Sequence, residues 1–110
     1  MDPVILNRGI MSAGLWVATI YGISLATGGD FTLMDSAVDG AIMGASAIGS
    51  DLAHGWVGMT PTTMTSALGA GVMYTGIQAM YNGSDDYVTN FGMAALNDAA
   101  VELWSASMAK

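Results

Sequence analysis

Asp98 and Glu102 stand four residues apart in the otherwise apolar stretch ALNDAAVELW, Ala95 to Trp104. A helix turns by about 100° per residue, so the two carboxyl groups share a face and repel each other when both are ionised. Such a pair either marks a proton or cation path or forms the hydrated stripe of a helix, and no basic side chain stands near it in sequence. On a fully crossing helix Asp98 would lie near mid-bilayer, at a cost of about 2.5–3.5 kcal/mol unless paired or protonated. The pair is therefore expected to be the wet face of a tilted or interfacial final helix, available for an intersubunit contact.

The other candidate groups carry less chemistry. His54 follows Asp51 by three residues, but one imidazole and one carboxylate do not complete a zinc site of three or four ligands. His54 is expected to cap its helix or to lie at headgroup level, with Asp51 favouring its charged form. The sequence nominates no nucleophile with a base and an oxyanion site, so no enzymatic activity is expected. Glycines in GASAIG and GAGVMYTG fall within apolar helical stretches, whereas a dinucleotide loop needs a strand before it and a helix opening at it. The ten methionines are scattered and read as adaptable packing side chains. No cofactor or metal is expected.

These groups must be positioned by a chain of 110 residues, enough for one domain. Charged residues make up 10% of it, against roughly 25% in soluble domains, and 53% are hydrophobic, which points to a membrane. Nine acids face only Arg8 and Lys110, a net charge of −7 that offers nothing to a phosphate backbone, so nucleic-acid binding is not expected. The charge is also too sparse for the dense acidic surface of a halophile protein. Cysteine is absent, which excludes disulfides and thiolate metal sites. The N-terminal MDPVILNRG has no basic region before its apolar run and no small-residue cleavage site follows, so the first apolar helix is expected to be retained.

Two segments read as clear transmembrane helices. Residues 9–27 carry no charge and are long enough to cross a hydrocarbon core of roughly 30 Å. Residues 61–81 are also uncharged, with Thr60 as N-cap and Pro61 at the first helical position. Two further segments, 35–54 and 87–109, read as amphipathic helices. Asp35, Asp39, Ser46 and Ser50 form the polar stripe of the first, and Asn90, Asn97, Asp98, Glu102 and Ser105 that of the second. Each either spans with its stripe toward protein or water, or lies in the interface.

The expected fold is thus all-α: a single membrane domain over residues 1–110, a helical bundle of two hairpins. The alternation of clean and acidic segments fits an internal duplication with repeats 9–54 and 61–109. A shift of 54 aligns Ser12 with Ser66, Ala13 with Ala67, Gly22 with Gly76, Ile23 with Ile77 and Gly29 with Gly83. Four crossings put both termini, with Arg8 and Lys110, on one side, which the positive-inside rule makes the cytoplasmic or interior one.

Small residues recur at helical spacing as Gly14, Ala18, Gly22 and Ala26, as Ala67, Gly71, Thr75 and Ala79, and as the GxxxG pair Gly40 and Gly44. In lipid, close backbone approach through small residues drives helix packing, so these are the expected seams, with Leu15, Trp16 and Ile20 turned to lipid or a neighbouring subunit.

A short chain opening MDPVILNRG, with glycine- and alanine-rich spans, very short polar loops and no enzymatic motif, resembles the small multispan membrane or minor capsid proteins of large icosahedral double-stranded DNA viruses. The resemblance is one of style and carries over no site residue. It implies a structural protein of a virion internal membrane, partnered by the lipid bilayer, copies of itself and larger capsid proteins. Two other classes fit the same residues: an accessory subunit of a respiratory or photosynthetic membrane complex, and a small proton or cation channel built around Asp39, Asp98 and Glu102.

Overall fold

A computed structural model describes residues 3–30 and 32–108. They form four helices, α1 (Pro3–Thr27), α2 (Leu33–Trp56), α3 (Thr63–Tyr81) and α4 (Tyr87–Met108), with no strand among the described residues. Their ends follow local chemistry. Thr32 and Thr62 open α2 and α3 as capping boxes, each accepting the N–H of the residue three positions on, while the Asp35 and Thr65 side chains accept the cap N–H in return. This moves the expected start of α3: Thr62 is the N-cap in place of Thr60, and Pro61 lies before the helix. Gly28, Gly58 and Gly83 follow the ends of α1, α2 and α3 at φ values of 70°, 72° and 65°, the left-handed conformation that stops a helix without a Cβ clash.

The main contacts are of α1 with α2 and α4, and of α3 with α2 and α4, and among these four the α1–α4 contact is the least extensive. Consecutive helices joined by short loops run antiparallel, giving a square of two hairpins. The N-terminal turns of α1 and α3 therefore meet the C-terminal turns of α2 and α4 at one end of the bundle.

α1 and α2 approach through glycine. A Cβ on Gly40 would lie 2.9 Å from the carbonyl oxygen of Ala13, and one on Gly44 would lie 2.8 Å from that of Gly9. On α3, Ala67 and Gly71 are buried, Gly71 directly against Phe91 of α4, while Thr75 and Ala79 are half-buried. The ladder assigned to α1 is turned the other way. Gly14, Ala18, Gly22 and Ala26 are exposed, and nothing lies within 4 Å of a Cβ built on Gly14 or Gly22. Trp16, expected outside, is inside at 3% exposure. The physical reason lies in the stripe Arg8, Ser12, Trp16 and Ser24, spaced by multiples of four, from which the Arg8 guanidinium and the Trp16 indole N–H reach acids in the bundle interior.

That interior is unusually polar. Among the described residues the buried polar side chains are Ser12, Ser24, Ser36, Ser46, Ser50, Asp51, His54, Ser66, Gln78, Asn97, Asp98 and Glu102. The buried apolar ones are Trp16, Met43, Tyr74, Val101 and the four alanines 47, 67, 70 and 94. Large apolar side chains point outward on every helix, including Leu25 at 67% exposure, Leu52 at 36%, Met80 at 90% and Leu96 at 73%. α1 is long and apolar enough to cross a membrane, by length and composition. α3, expected as a second clear span, does not reach that level, because Thr63, Thr65, Ser66, Thr75 and Gln78 dilute its apolar residues.

Gly44→Ala is expected to destabilise the bundle by ~1–3 kcal/mol, because its methyl group meets backbone that moves only if α1 and α2 separate. Gly14→Ala, pointing into open space, is expected to change stability by no more than ~1 kcal/mol and in the stabilising direction. Chemical denaturation followed by circular dichroism measures both.

Candidate functional site

The inward polar residues gather into two clusters, one at each end of the bundle. At the end where α1 begins and α4 ends, α1 supplies Arg8, α2 Asp51, α3 Ser66 and α4 Asp98 and Glu102. The Arg8 Nη1 lies 3.5 Å from Asp51 Oδ2 and 3.4 Å from Glu102 Oε1. Asp51 Oδ1 accepts a hydrogen bond from the Ser66 hydroxyl at 3.1 Å, and Ser50 Oγ donates to the Ser66 carbonyl at 3.0 Å. One side-chain layer thus ties all four helices together. Next to it, the Asn97 side chain donates to the carbonyl of Ser12 at 3.2 Å, a second tie between α4 and α1.

This placement overturns the hydrated-stripe expectation for the acidic pair. Asp98 and Glu102 are 4% and 7% exposed, and their face looks into the bundle. Sequence proximity hid the compensating charge: Arg8 is 94 residues from Glu102 in the chain yet pairs with it across the α1–α4 contact. The expectation for His54 also changes. Asp51 is occupied by Arg8 and Ser66, and the His54 ring donates from Nδ1 to the Ser50 carbonyl at 2.7 Å, one turn back in its own helix.

At the opposite end Asp39 of α2 is the hub. Its Oδ2 accepts from Trp16 Nε1 at 2.8 Å and from the Tyr74 hydroxyl at 2.7 Å, and its Oδ1 accepts from the Gln78 amide. Gln78 in turn accepts from Asn82, the C-cap of α3. Trp16 and Tyr74 pack edge to face with ring centroids 4.9 Å apart, so the aromatic contact and the shared acceptor reinforce each other. Asp35, one turn before Asp39, is exposed and acts in the α2 capping box. Beyond Asp39 an open cavity of about 770 Å³ is bounded by Asp30, Asp35, Tyr81, Asn82 and Asn90.

Between the clusters lie Met43, Ala70 and Ala94, which pack with the Trp16 and Tyr74 rings into one apolar cluster, with Ile20 and Ile42 packed on it. Asp39 is therefore separated from Asp98 and Glu102, and the three acids named together for ion conduction do not form one site. Among the described residues no group of three His, Asp or Glu side chains is placed to hold a metal ion.

Sequence reasoning missed Arg8, Ser12, Trp16, Ser66, Tyr74 and Gln78 as site residues, weighed Asp51 only beside His54, and placed Asn97 only in the polar stripe of α4. A signal for several was present: Arg8, Ser12 and Trp16, like Tyr74 and Gln78, recur at a spacing of four. It was outweighed by the small-residue ladders, which repeat with the same period on other faces. No protein-family model matches the chain, and no curated protein or solved structure is found to be similar to it.

Arg8→Leu is expected to cost about 3 kcal/mol, the low end of the penalty for stranding buried charges, because Arg8 itself keeps 29% side-chain exposure. Tyr74→Phe, which removes one donor from Asp39, is expected to cost ~1–3 kcal/mol. Denaturant titration of each variant against the parent checks both values.

Proposed function

We propose that this protein is a non-enzymatic, architectural integral membrane protein, a four-helix bundle that packs laterally within a larger membrane assembly. The observation that carries this reading is the reversed distribution of polarity, with serines, carboxylates, an imidazole and carboxamides inside and Leu, Ile, Val and Met side chains outside. Water as the outer solvent would leave that apolar surface unpaid for, whereas hydrocarbon accepts it and drives polar groups inward. α1 adds weight. A soluble core helix of its composition would be mostly buried, and only 22% of its apolar window is buried inside the bundle.

Two further features favour architecture over ion conduction. Met43, Ala70 and Ala94 put apolar packing between the two polar clusters. The outward ladder of Gly14, Ala18, Gly22 and Ala26 leaves a flat helix face beside the exposed Ile10, Ile23 and Leu25, a surface that a neighbouring helix can approach closely. In this reading Arg8 places the N-terminal end of the bundle on the cytoplasmic or interior side. An internal membrane of a large icosahedral virus particle is the setting that the resemblance of style implies, with copies of the chain and capsid proteins as neighbours.

The test is fractionation of the full chain expressed in cells. It is expected to float with membranes, to resist extraction by alkaline carbonate and to need detergent for a monodisperse state. A chain that is folded and monodisperse in plain buffer removes the reading.

A further inference from the structure

The cluster at the end where α1 begins and α4 ends contains more acid than its hydrogen bonds satisfy. Both oxygens of Asp51 are engaged, by Arg8 and by Ser66, and Glu102 Oε1 is engaged by Arg8. Asp98 Oδ2 and Glu102 Oε2 are sealed from solvent and meet no hydrogen-bond donor among the described residues. Both side chains are more than nine-tenths buried, and their positions one helical turn apart put their carboxyl groups on the same face of α4.

Among the described residues the neighbouring elements supply no second cation. α1 brings Arg8, α2 brings Asp51 with His54 turned back onto the Ser50 carbonyl, and α3 brings the uncharged Ser66. Three carboxyl groups thus face one guanidinium. Two carboxylates held side by side away from water do not both ionise when a single proton can bridge them.

We propose that Asp98 and Glu102 together form a proton-binding site, holding one exchangeable proton between them. The bound proton turns one acceptor oxygen into a donor aimed at the other acid and removes one negative charge. A single negative charge then remains on the pair, beside Arg8. The ligand is a proton rather than a metal ion, because among the described residues no three acidic or imidazole groups converge with metal-binding geometry and the guanidinium bridges Asp51 and Glu102. The site also lies where its occupancy matters mechanically. Of the four main helix contacts, α1 and α4 share the least extensive one, held by the Arg8–Glu102 pair and the Asn97–Ser12 hydrogen bond. Release of the proton places two adjacent negative charges at that seam and loosens it.

The site is enclosed by the bundle itself, so the inference stands or falls independently of whether lipid surrounds the outside. Infrared spectroscopy of the purified full chain tests it. At neutral pH the parent is expected to show the carbonyl stretch of a protonated carboxylic acid, shifted in heavy water and lost on alkaline titration. Asp98→Asn and Glu102→Gln, which keep shape but remove one partner, are each expected to lose the band, while Asp85→Asn in the exposed α3–α4 loop keeps it. The parent measurement needs no variant to fold. Absence of the band in the parent at neutral pH, or its persistence in both single variants, overturns the proposal.

Discussion

The bundle depends on one constraint: polar and charged side chains on four helices have to satisfy one another, because the space between the helices is where they are placed. Arg8 meets this constraint at one end and Asp39 at the other. Arg8 touches acids from α2 and α4, and Asp39 collects donors from α1 and α3. Each hub joins non-consecutive helices as well as hairpin partners, so together they fix which helices are neighbours and at what height along the axis. Apolar packing of four small alanines and a few larger side chains does not specify that register by itself.

The glycine contacts serve the same end. Gly40 and Gly44 let α2 approach the backbone of α1 closely enough for Trp16 to reach Asp39 and for Arg8 to reach Asp51. Close approach through small residues and polar bonding are thus parts of one device. The outward-facing ladder on α1 lacks the polar half of that device within this chain, which is why it makes no contact with the other three helices.

The two polar clusters differ in chemical character. Asp39 is saturated by neutral donors, and its role is to hold aromatic and amide groups in place. The Arg8 cluster is unsaturated, with Asp98 Oδ2, Glu102 Oε2 and the Arg8 Nε–H left without a hydrogen-bond partner among the described residues. A saturated hub rigidifies, whereas an unsaturated one can respond to its surroundings. The apolar layer of Met43, Ala70 and Ala94 keeps the two apart, so a change in the second need not disturb the first.

The sequence by itself determined the helical class, the number of helices and the approximate span of each, because helix-length apolar stretches punctuated by GG, PTT and NGSDD leave little else for the chain to do. It also located the acidic stripe of α4 and the glycine pair of α2. It did not determine which face of α1 turns inward, since ladders of small residues and of polar residues share the same period of about four and differ only in direction. Nor did it pair Arg8 with Glu102 or Trp16 with Asp39. Those contacts join residues far apart in the chain, and only the tertiary arrangement brings the ends of different helices to the same level, where the need to satisfy buried polar groups selects one face over the other.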